Sequence, residues 1–151
     1  VDTVLVHAPH DLAIALEILG ELPPAASATA EHAAGMRVGL LGALGGPPWV
    51  TFEVSCAAPD HRRELRLTCQ DGVAYLDGGW SEEVRIVRDL HGTPEPELRP
   101  TPGELPLLAE LRAFVEHLGG GPPPASSARD GALIVRRLAE LSALAELSRV
   151  A

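Results

Sequence analysis

The sequence predicts an α+β domain of two layers, in which a mostly antiparallel sheet of about five or six strands carries three helices on one face. Residues 25 to 90 show the apolar and polar alternation of half-buried strands, broken by turns rich in Gly, Pro and Asp. The segments on either side repeat apolar residues at spacings of three and four, as amphipathic helices do. We expect residues 1 to 151 to form a single domain, since this length supports one hydrophobic core.

The chain begins with a short apolar run at residues 1 to 6, which we interpret as a buried strand or as an extended segment that leads into the first helix. Asp11 then precedes apolar residues at helical spacing, so its carboxylate suits an N-terminal helix cap. Gly20 and the two prolines after Leu22 stop the helix. The pattern predicts a helix of roughly three turns. His7 and His10 precede its positive end, where backbone N–H groups favour an anionic ligand.

The strand segments follow in order along the chain and are separated by turns. The clearest one places Val50, Phe52 and Val54 on one face, and an Asp71-Gly72 step marks a hairpin further on. Trp49 and Trp80 lie beside turns, where an aromatic side chain packs as an anchor or lines a ligand groove. The predicted strands are 25 to 31, 37 to 44, 49 to 57, 64 to 69, 73 to 75 and 84 to 90.

The outer face of this sheet is predicted to be polar, and to be solvated or to meet a second copy. Its residues are Thr51, Glu53, Ser55, Arg66 and Thr68. Because two-fold pairing is the commonest closed arrangement, we expect a homodimer through this open face. Cys56 and Cys69 fall on strands, and we expect two buried, reduced thiols, although a disulfide between neighbouring strands is conceivable.

The last third of the chain predicts two further helices that pack with the first on one side of the sheet. A Gly and Pro segment at 119 to 124 separates them. The apolar stripe of the earlier helix is Leu105, Leu108, Leu111, Val115 and Leu118, with Phe114 beside it. The later helix, 132 to 147, has a broad apolar face of Leu133, Val135, Leu138, Leu141, Leu144 and Leu147.

Composition excludes several classes of function. The formal net charge is −9 and all twelve basic residues are Arg, so we expect no nucleic-acid partner and no lysine chemistry. No apolar run reaches the ~18 residues of a membrane span, and the first residues lack signal-peptide features, so we expect a cytoplasmic protein without membrane contact.

Neither a metal nor a dinucleotide site is expected in this chain. His7 and His10 form an H-x-x-H pair, but a zinc site needs at least three ligands, and Glu31 or His32 would join only by assumption. The glycine-rich segments at 39 to 46 and 119 to 121 do not open a helix after a strand, which pyrophosphate binding requires.

Two stretches carry a resemblance to a known family. APHDLAIALEILGELP, and PLLAELRAFVEHLGGGPPPASSARDGALIVRRLAEL near the C-terminus, resemble the C-terminal domain of the Gfo/Idh/MocA oxidoreductases, the glucose-fructose oxidoreductase and inositol dehydrogenase family. The Pro-His-Asp step before the helix is most similar to members that act on nucleotide-linked sugars. The resemblance implies an NAD(P)-dependent parent enzyme whose nucleotide-binding half, with its Glu-Lys-Pro lysine, is not in this chain.

The resemblance also implies roles for residues at the first helix. In the family an Asp lies four residues before a His, and the pair brackets the sugar carbon that loses hydride. Here Val6 stands at the Asp position and His10 at the His position. His10 is therefore the candidate catalytic acid or base, since imidazole exchanges protons near neutral pH. His7 and Asp11 are the candidate substrate-binding residues.

The sequence thus favours the substrate-binding and dimerisation half of a sugar or nucleotide-sugar oxidoreductase. NAD or NADP is expected only in a full-length parent, and this chain alone is expected to transfer no hydride. The alternative is a non-enzymatic module that dimerises or binds a small polar ligand, which Val6 favours. A ligand-carrying barrel is disfavoured because aromatic residues make up only 3% of the chain.

Overall fold

The protein has an α+β fold, as predicted, with three helices and two antiparallel sheets among the described residues. The computed structural model describes residues 3–78, 81–88, 95–101, 103 and 105–148. The helices are α1 (Thr3–Leu19), α2 (Pro106–Leu118) and α3 (Ala128–Ser148). The strands are β1 (Ala25–Ala33), β2 (Met36–Leu44), β3 (Val50–Ser55), β4 (Glu64–Cys69), β5 (Gly72–Asp77), β6 (Glu83–Arg88) and β7 (Glu97–Pro100).

The chain divides into two compact units. Unit 1 comprises residues 1–58 and 125–151, and unit 2 comprises residues 59–124. The strands divide accordingly into a three-stranded sheet, β1-β2-β3, and a four-stranded sheet, β4-β5-β6-β7. The structure therefore has seven strands in two sheets where the sequence pattern indicated five or six in one. Alternation identifies strands and their faces, but it does not identify which strands share a ladder.

In unit 1, α1 and α3 pack on the three-stranded sheet. The core combines one face of each helix with the inner face of β1, β2 and β3. Val50 and Phe52 pack against it and Val54 is buried, whereas Thr51, Glu53 and Ser55 are exposed, as the alternation predicts. The buried residues of this core are Val4, Ala8, Leu12, Leu22, Ala28, Leu40, Leu44, Val54, Ile134, Leu138, Leu141 and Ala145.

The first helix begins earlier than predicted. Thr3 starts α1, so the predicted strand at residues 1 to 6 is wrong over its described part, and Asp11 lies inside the helix, not at its cap. Val4 and Ala8 extend the buried face of Leu12 backwards at spacings of four residues, and all three are fully buried. This burial outweighs the cost of Pro9, which lies inside the helix and lacks an amide proton.

The third helix has a narrower buried face than its sequence pattern predicts. Ile134, Leu138, Leu141 and Ala145 are its buried residues, whereas Val135 and Leu147 are exposed. Ser127 and Asp130 form a reciprocal capping box at its start: the Asp130 amide donates to Ser127 Oγ, and the Ser127 amide donates to Asp130 Oδ2. The cap explains why the helix begins at Ala128, before the apolar run.

In unit 2, the four strands form an antiparallel meander. The predicted hairpin is present, with Gln70 and Asp71 as its turn and Gly72 paired with Cys69 as the first residue of β5. A Cβ at Gly72 would overlap the carbonyl oxygen of Val87, so the close approach of β5 and β6 requires glycine there. Among the described residues of this unit, Val73 is the buried hydrophobic side chain.

Helix α2 belongs to unit 2. In the described part of this unit, no strand packs against α2. Its apolar stripe is exposed, including Leu108, Leu111 and Val115. Within unit 1, α1 and α3 are the helices that lie on the three-stranded sheet. The amphipathic pattern fixed which side of α2 is apolar, but it does not specify what that side meets.

Candidate functional site

The candidate site residues lie together on one face of α1. His7 and His10 are three residues apart, and His7 and Asp11 are four apart, so their side chains project from the same side of the helix. Both histidines are exposed, and Asp11 is half-buried. Val4, Ala8 and Leu12 form the buried side of the same helix. The core of unit 1 thus fixes the helix and leaves this face open.

The helix-end argument for anion binding does not hold in the structure. His7 and His10 lie within α1, which begins at Thr3, so the free N–H groups of the first turn are not aimed at a ligand between these two side chains. Helix α1 instead fixes the separation between the side chains at positions 6 and 10. Val6 and His10 are about one helical turn apart and Val6 is 49% exposed, so the two side chains are neighbours on the surface of the helix.

The glycine-rich segments do not fit a dinucleotide. Gly39 and Gly42 lie inside β2, and a Cβ at Gly42 would lie 2.6 Å from the ring of Phe52. Gly119 ends α2, where its amide donates to the carbonyl oxygens of Val115 and Glu116. These glycines therefore serve close packing and a helix end, not a pyrophosphate loop.

The remaining sequence candidates within the described residues lie on or beside strands of the three-stranded sheet. In the residues that the structure describes, no three His, Cys, Asp or Glu side chains are grouped so that they could hold a metal ion. Glu31 is exposed and His32 is half-buried on β1. Trp49 is 68% exposed and packs near Gly45, whereas Trp80 lies outside the described residues.

The two cysteines differ from the prediction. Cys56 and Cys69 are both exposed free thiols, so the prediction of buried thiols is wrong, and the two form no disulfide. Cys56 follows the last residue of β3, and Cys69 is the last residue of β4. Both cysteines lie at the ends of strands, where the alternation that placed them on an apolar face stops. At a strand end, a side chain on the core-facing side can still be exposed to solvent.

One polar arrangement on the four-stranded sheet was not identified from the sequence. Arg66 pairs with Tyr75, and Tyr75 pairs with Arg85, so the three side chains form a row on one face. The Arg85 guanidinium lies 4.3 Å from the centre of the Tyr75 ring, and its Nη2 lies 3.2 Å from Asp77 Oδ2. The register set by the hairpin at Asp71 would have predicted the Arg66–Tyr75 pair, whereas the position of Arg85 depends on the register between β5 and β6.

Comparison with known proteins by sequence identifies no relative. No family model matches the chain, and no curated protein matches it. None of the helices in its described part is both long enough and apolar enough to cross a membrane.

Comparison of the fold gives similar solved structures. UDP-N-acetylglucosamine 3-dehydrogenase GnnA from Acidithiobacillus ferrooxidans is similar with a TM-score of 0.81 at 18% identity, over 97% of this chain and 48% of that chain. An aldose-aldose oxidoreductase from Caulobacter crescentus, complexed with glycerol, has a TM-score of 0.76 at 19% identity, over 93% and 44%. An NAD binding oxidoreductase from Klebsiella pneumoniae has a TM-score of 0.74 at 16% identity, over 94% and 47%.

The chain has the fold of the C-terminal domain of Gfo/Idh/MocA-type oxidoreductases. The resemblance predicted from the sequence is thereby confirmed at the level of the fold. The chain spans about half the length of the solved structures that it matches. These structures are of oxidoreductases, and one of those compared is a sugar-linked dehydrogenase by name.

Proposed function

We propose that this chain is the substrate-binding half of an NAD(P)-dependent oxidoreductase that acts on a sugar or a nucleotide-linked sugar. The observation that supports the proposal most directly is the fold shared with half of each of several oxidoreductases, including a UDP-N-acetylglucosamine dehydrogenase. The open histidine face of α1 adds a group suited to acid–base chemistry. Residues 1 to 151 would act together as one substrate-binding and oligomerisation domain.

In this proposal each residue on α1 has one task. His10 takes the proton from the sugar hydroxyl group as that carbon is oxidised to a carbonyl, and it returns the proton in the reverse direction. His7 and Asp11 lie within one turn of each other and hydrogen-bond neighbouring hydroxyl groups of the sugar. NAD or NADP, bound by the other half of the parent protein, supplies the hydride acceptor.

The test uses the natural protein from its full reading frame, assayed for NAD(P)H formation with sugars and UDP-sugars. His10→Ala is expected to lower kcat about 100- to 10,000-fold, because it removes the acid–base group. His7→Ala is expected to act mainly on KM, because it removes a binding contact.

His61→Ala is the matched control, since His61 is an exposed histidine in the loop before β4 and has no assigned role. A full-length protein whose turnover is unchanged by His10→Ala would refute the catalytic assignment. A natural product that contains no nucleotide-binding half would refute the enzymatic proposal as a whole.

We also propose that the chain forms a homodimer through the open sheet faces. Each sheet has exposed polar residues that suit such a contact: Thr51, Glu53 and Ser55 on β3 in unit 1, and Arg66 and Thr68 on β4 in unit 2. Arg66→Glu is expected to weaken the dimer in sedimentation equilibrium, whereas Arg136→Glu on α3 should not. A protein that remains a monomer at high micromolar concentration would contradict this proposal.

The second candidate is a non-enzymatic module that binds a small polar ligand or only dimerises. Val6 favours it, because an exposed aliphatic side chain stands one turn before His10 where the resemblance implies a carboxylate. This candidate predicts sugar binding, or none, without turnover in the full-length protein. Turnover that depends on His10 would exclude it.

A further inference from the structure

A cleft opens between the second half of α1 and the start of α3, two helices that pack against each other in unit 1. Its volume is about 210 Å³. Leu16 and the buried Ile134 supply its apolar lining, whereas Glu17, Ser126 and Asp130 supply polar groups. Every lining residue belongs to unit 1, so contacts within that unit set the shape of the cleft.

The cleft continues the side of α1 on which His10 lies. His10, Ala13 and Glu17 follow one another at spacings of three and four residues, and the last two line the cleft. Seven residues of helix separate His10 from Glu17, which is about 10 Å along the helix axis. A ligand that reacts beside His10 and carries a second group on this side therefore reaches the cleft with that group.

The size and lining of the cleft suit a single sugar ring. Sites that hold drug-sized ligands have volumes of about 300–1,000 Å³, and this cleft is smaller. A sugar ring has apolar C–H groups on its faces and hydroxyl groups at its edge. Leu16 and Ile134 match the faces, and the carboxylate of Glu17 can accept hydrogen bonds from the edge.

The charges around the cleft favour a neutral group over a phosphate. The Glu17 carboxylate has no ion-pair partner in the part of the chain that the structure describes, and Asp130 places a second carboxylate at the cleft. Arg129 adds a positive charge next to Asp130, and Arg137 is already paired with Glu140. A diphosphate in the cleft would lie against the two carboxylates and be repelled by their like charge.

We propose that this cleft holds a neutral sugar ring that is joined to the sugar reacting at His10. Glu17 is then a specificity-determining residue, which accepts hydrogen bonds from hydroxyl groups of the second ring. This inference rests on the proposed function and narrows its substrate class to sugars that carry a neutral second ring.

The test is methyl NMR spectroscopy of the natural full-length protein. Cellobiose, maltose, lactose and diacetylchitobiose are the neutral probes, and inorganic pyrophosphate and UDP are the charged probes. We expect at least one disaccharide to shift the Ile134 methyl signal at millimolar concentration, whereas pyrophosphate and UDP leave it unchanged. The Ile134 signal is assigned by its absence from the Ile134→Val variant, and Ile86 on β6 is the internal reference.

Two substitutions test the residues of the cleft. Glu17→Gln is expected to raise the Kd of the disaccharide about five- to tenfold, because hydrogen bonds to a charged acceptor are lost. Glu21→Gln, the matched control, removes the same charge just after the lining residue Gly20 and should change Kd by less than about twofold. Ala13→Leu should raise Kd about tenfold or more by filling the cleft, whereas Ala139→Leu, at an exposed position of α3 that does not line it, should not.

Three results would overturn the proposal. The first is an Ile134 signal that responds to none of the four disaccharides up to high millimolar concentration. The second is a larger response to pyrophosphate or UDP than to any disaccharide. The third is an equal effect of Glu17→Gln and Glu21→Gln on Kd, in variants that circular dichroism shows to be folded.

The cleft and the catalytic assignment fail in different ways, because the NMR measurement needs no substrate turnover. An Ile134 signal that does not respond to disaccharides, in an enzyme whose turnover depends on His10, would overturn only the cleft. Disaccharide binding at Ile134 in a full-length protein without turnover would overturn only the catalytic assignment of His10.

Discussion

Gly42 shows how one missing methyl group shapes the core of unit 1. It lies in the central strand, in register with Phe52 on β3, and the Phe52 ring covers it. A Cβ at this position would lie 2.6 Å from two ring carbons of Phe52 and 3.2 Å from Leu141 Cδ2. Gly42→Ala is therefore expected to lower the free energy of unfolding by about 1–3 kcal/mol, measured by urea denaturation.

The matched control for this substitution is Gly131→Ala. Gly131 lies in α3, and a Cβ built there meets nothing within 4 Å. Alanine is the better helix former, so we expect the control to be neutral or to stabilise the protein by up to about 1 kcal/mol. Equal effects of the two substitutions would show that the Phe52 contact is not the cause.

The contribution of Asp130 to the stability of the fold is expected to depend on pH. Ser127 Oγ donates to Asp130 Oδ2 at 2.6 Å and the Ser127 amide donates at 2.8 Å, and these hydrogen bonds lower the pKa of Asp130. A carboxyl group with a lowered folded-state pKa stabilises the fold fully above its unfolded-state pKa of about 3.9, and this contribution is lost as the pH falls through the folded-state pKa.

The corresponding prediction concerns Asp130→Ala. Its destabilising effect should be constant near neutral pH and should shrink as the pH falls below about 4, measured as the difference in free energy of unfolding from the wild type. In a Ser127→Ala background this pH-dependent part should be smaller, because the side-chain hydrogen bond is gone. A difference that does not change with pH would contradict the capping role.

At the scale of elements, Arg137 joins α3 to the segment between α1 and β1. Its Nε and Nη2 donate to the Leu22 carbonyl oxygen at 3.2 and 3.0 Å, and Nη1 lies 2.9 Å from both carboxylate oxygens of Glu140. Glu140 Oε2 in turn accepts from the Ala25 amide at 3.4 Å. The Arg137 side chain is only 14% exposed, so water competes weakly for these bonds.

Removal of this link should loosen the helix from the sheet. Arg137→Ala is expected to lower the free energy of unfolding by about 1.5–3 kcal/mol, because it leaves the Leu22 carbonyl oxygen without these donors in a partly buried place. Arg136→Ala, at the exposed neighbouring position, should change it by less than about 0.5 kcal/mol. Thermal and urea unfolding monitored by circular dichroism would measure both.

At the scale of the whole molecule, the buried side chains are unevenly divided. In the described part of the chain, twelve of the thirteen buried hydrophobic residues belong to unit 1, and Val73 belongs to unit 2. Since apolar burial is the main favourable contribution to folding, unit 2 is expected to open more easily. Hydrogen exchange should therefore show lower protection for the amides of β5 than for those of β2, by at least tenfold.

The hydrogen-exchange comparison uses β2 and β5 because each strand is hydrogen-bonded on both sides, so strand position in the sheet does not account for a difference in protection. Equal protection would mean that the two units open together as one cooperative body. Greater protection of β5 would mean that its sheet gains stability from a source other than its own buried side chains.

The sequence by itself determined the fold class, the positions of the first six strands, the hairpin at Asp71 and the apolar side of every helix, but it did not predict β7. These follow from local periodicity and turn chemistry, which act over a few residues. The resemblance to one half of an oxidoreductase also came from residue patterns, and the shared fold confirms it. The candidate residues His7, His10 and Asp11 were likewise chosen from the sequence, and their roles remain proposals.

Only the tertiary structure decided where α1 begins, which strands share a sheet and which helices are covered. Pro9 and Asp11 are local signals against a helix starting at Thr3, but burial of Val4 and Ala8 against the sheet outweighs them. The exposure of Cys56 and of the α2 stripe also depends on neighbours that are distant in sequence. Periodicity gives each element an apolar side, and tertiary packing determines whether another part of the molecule lies against it.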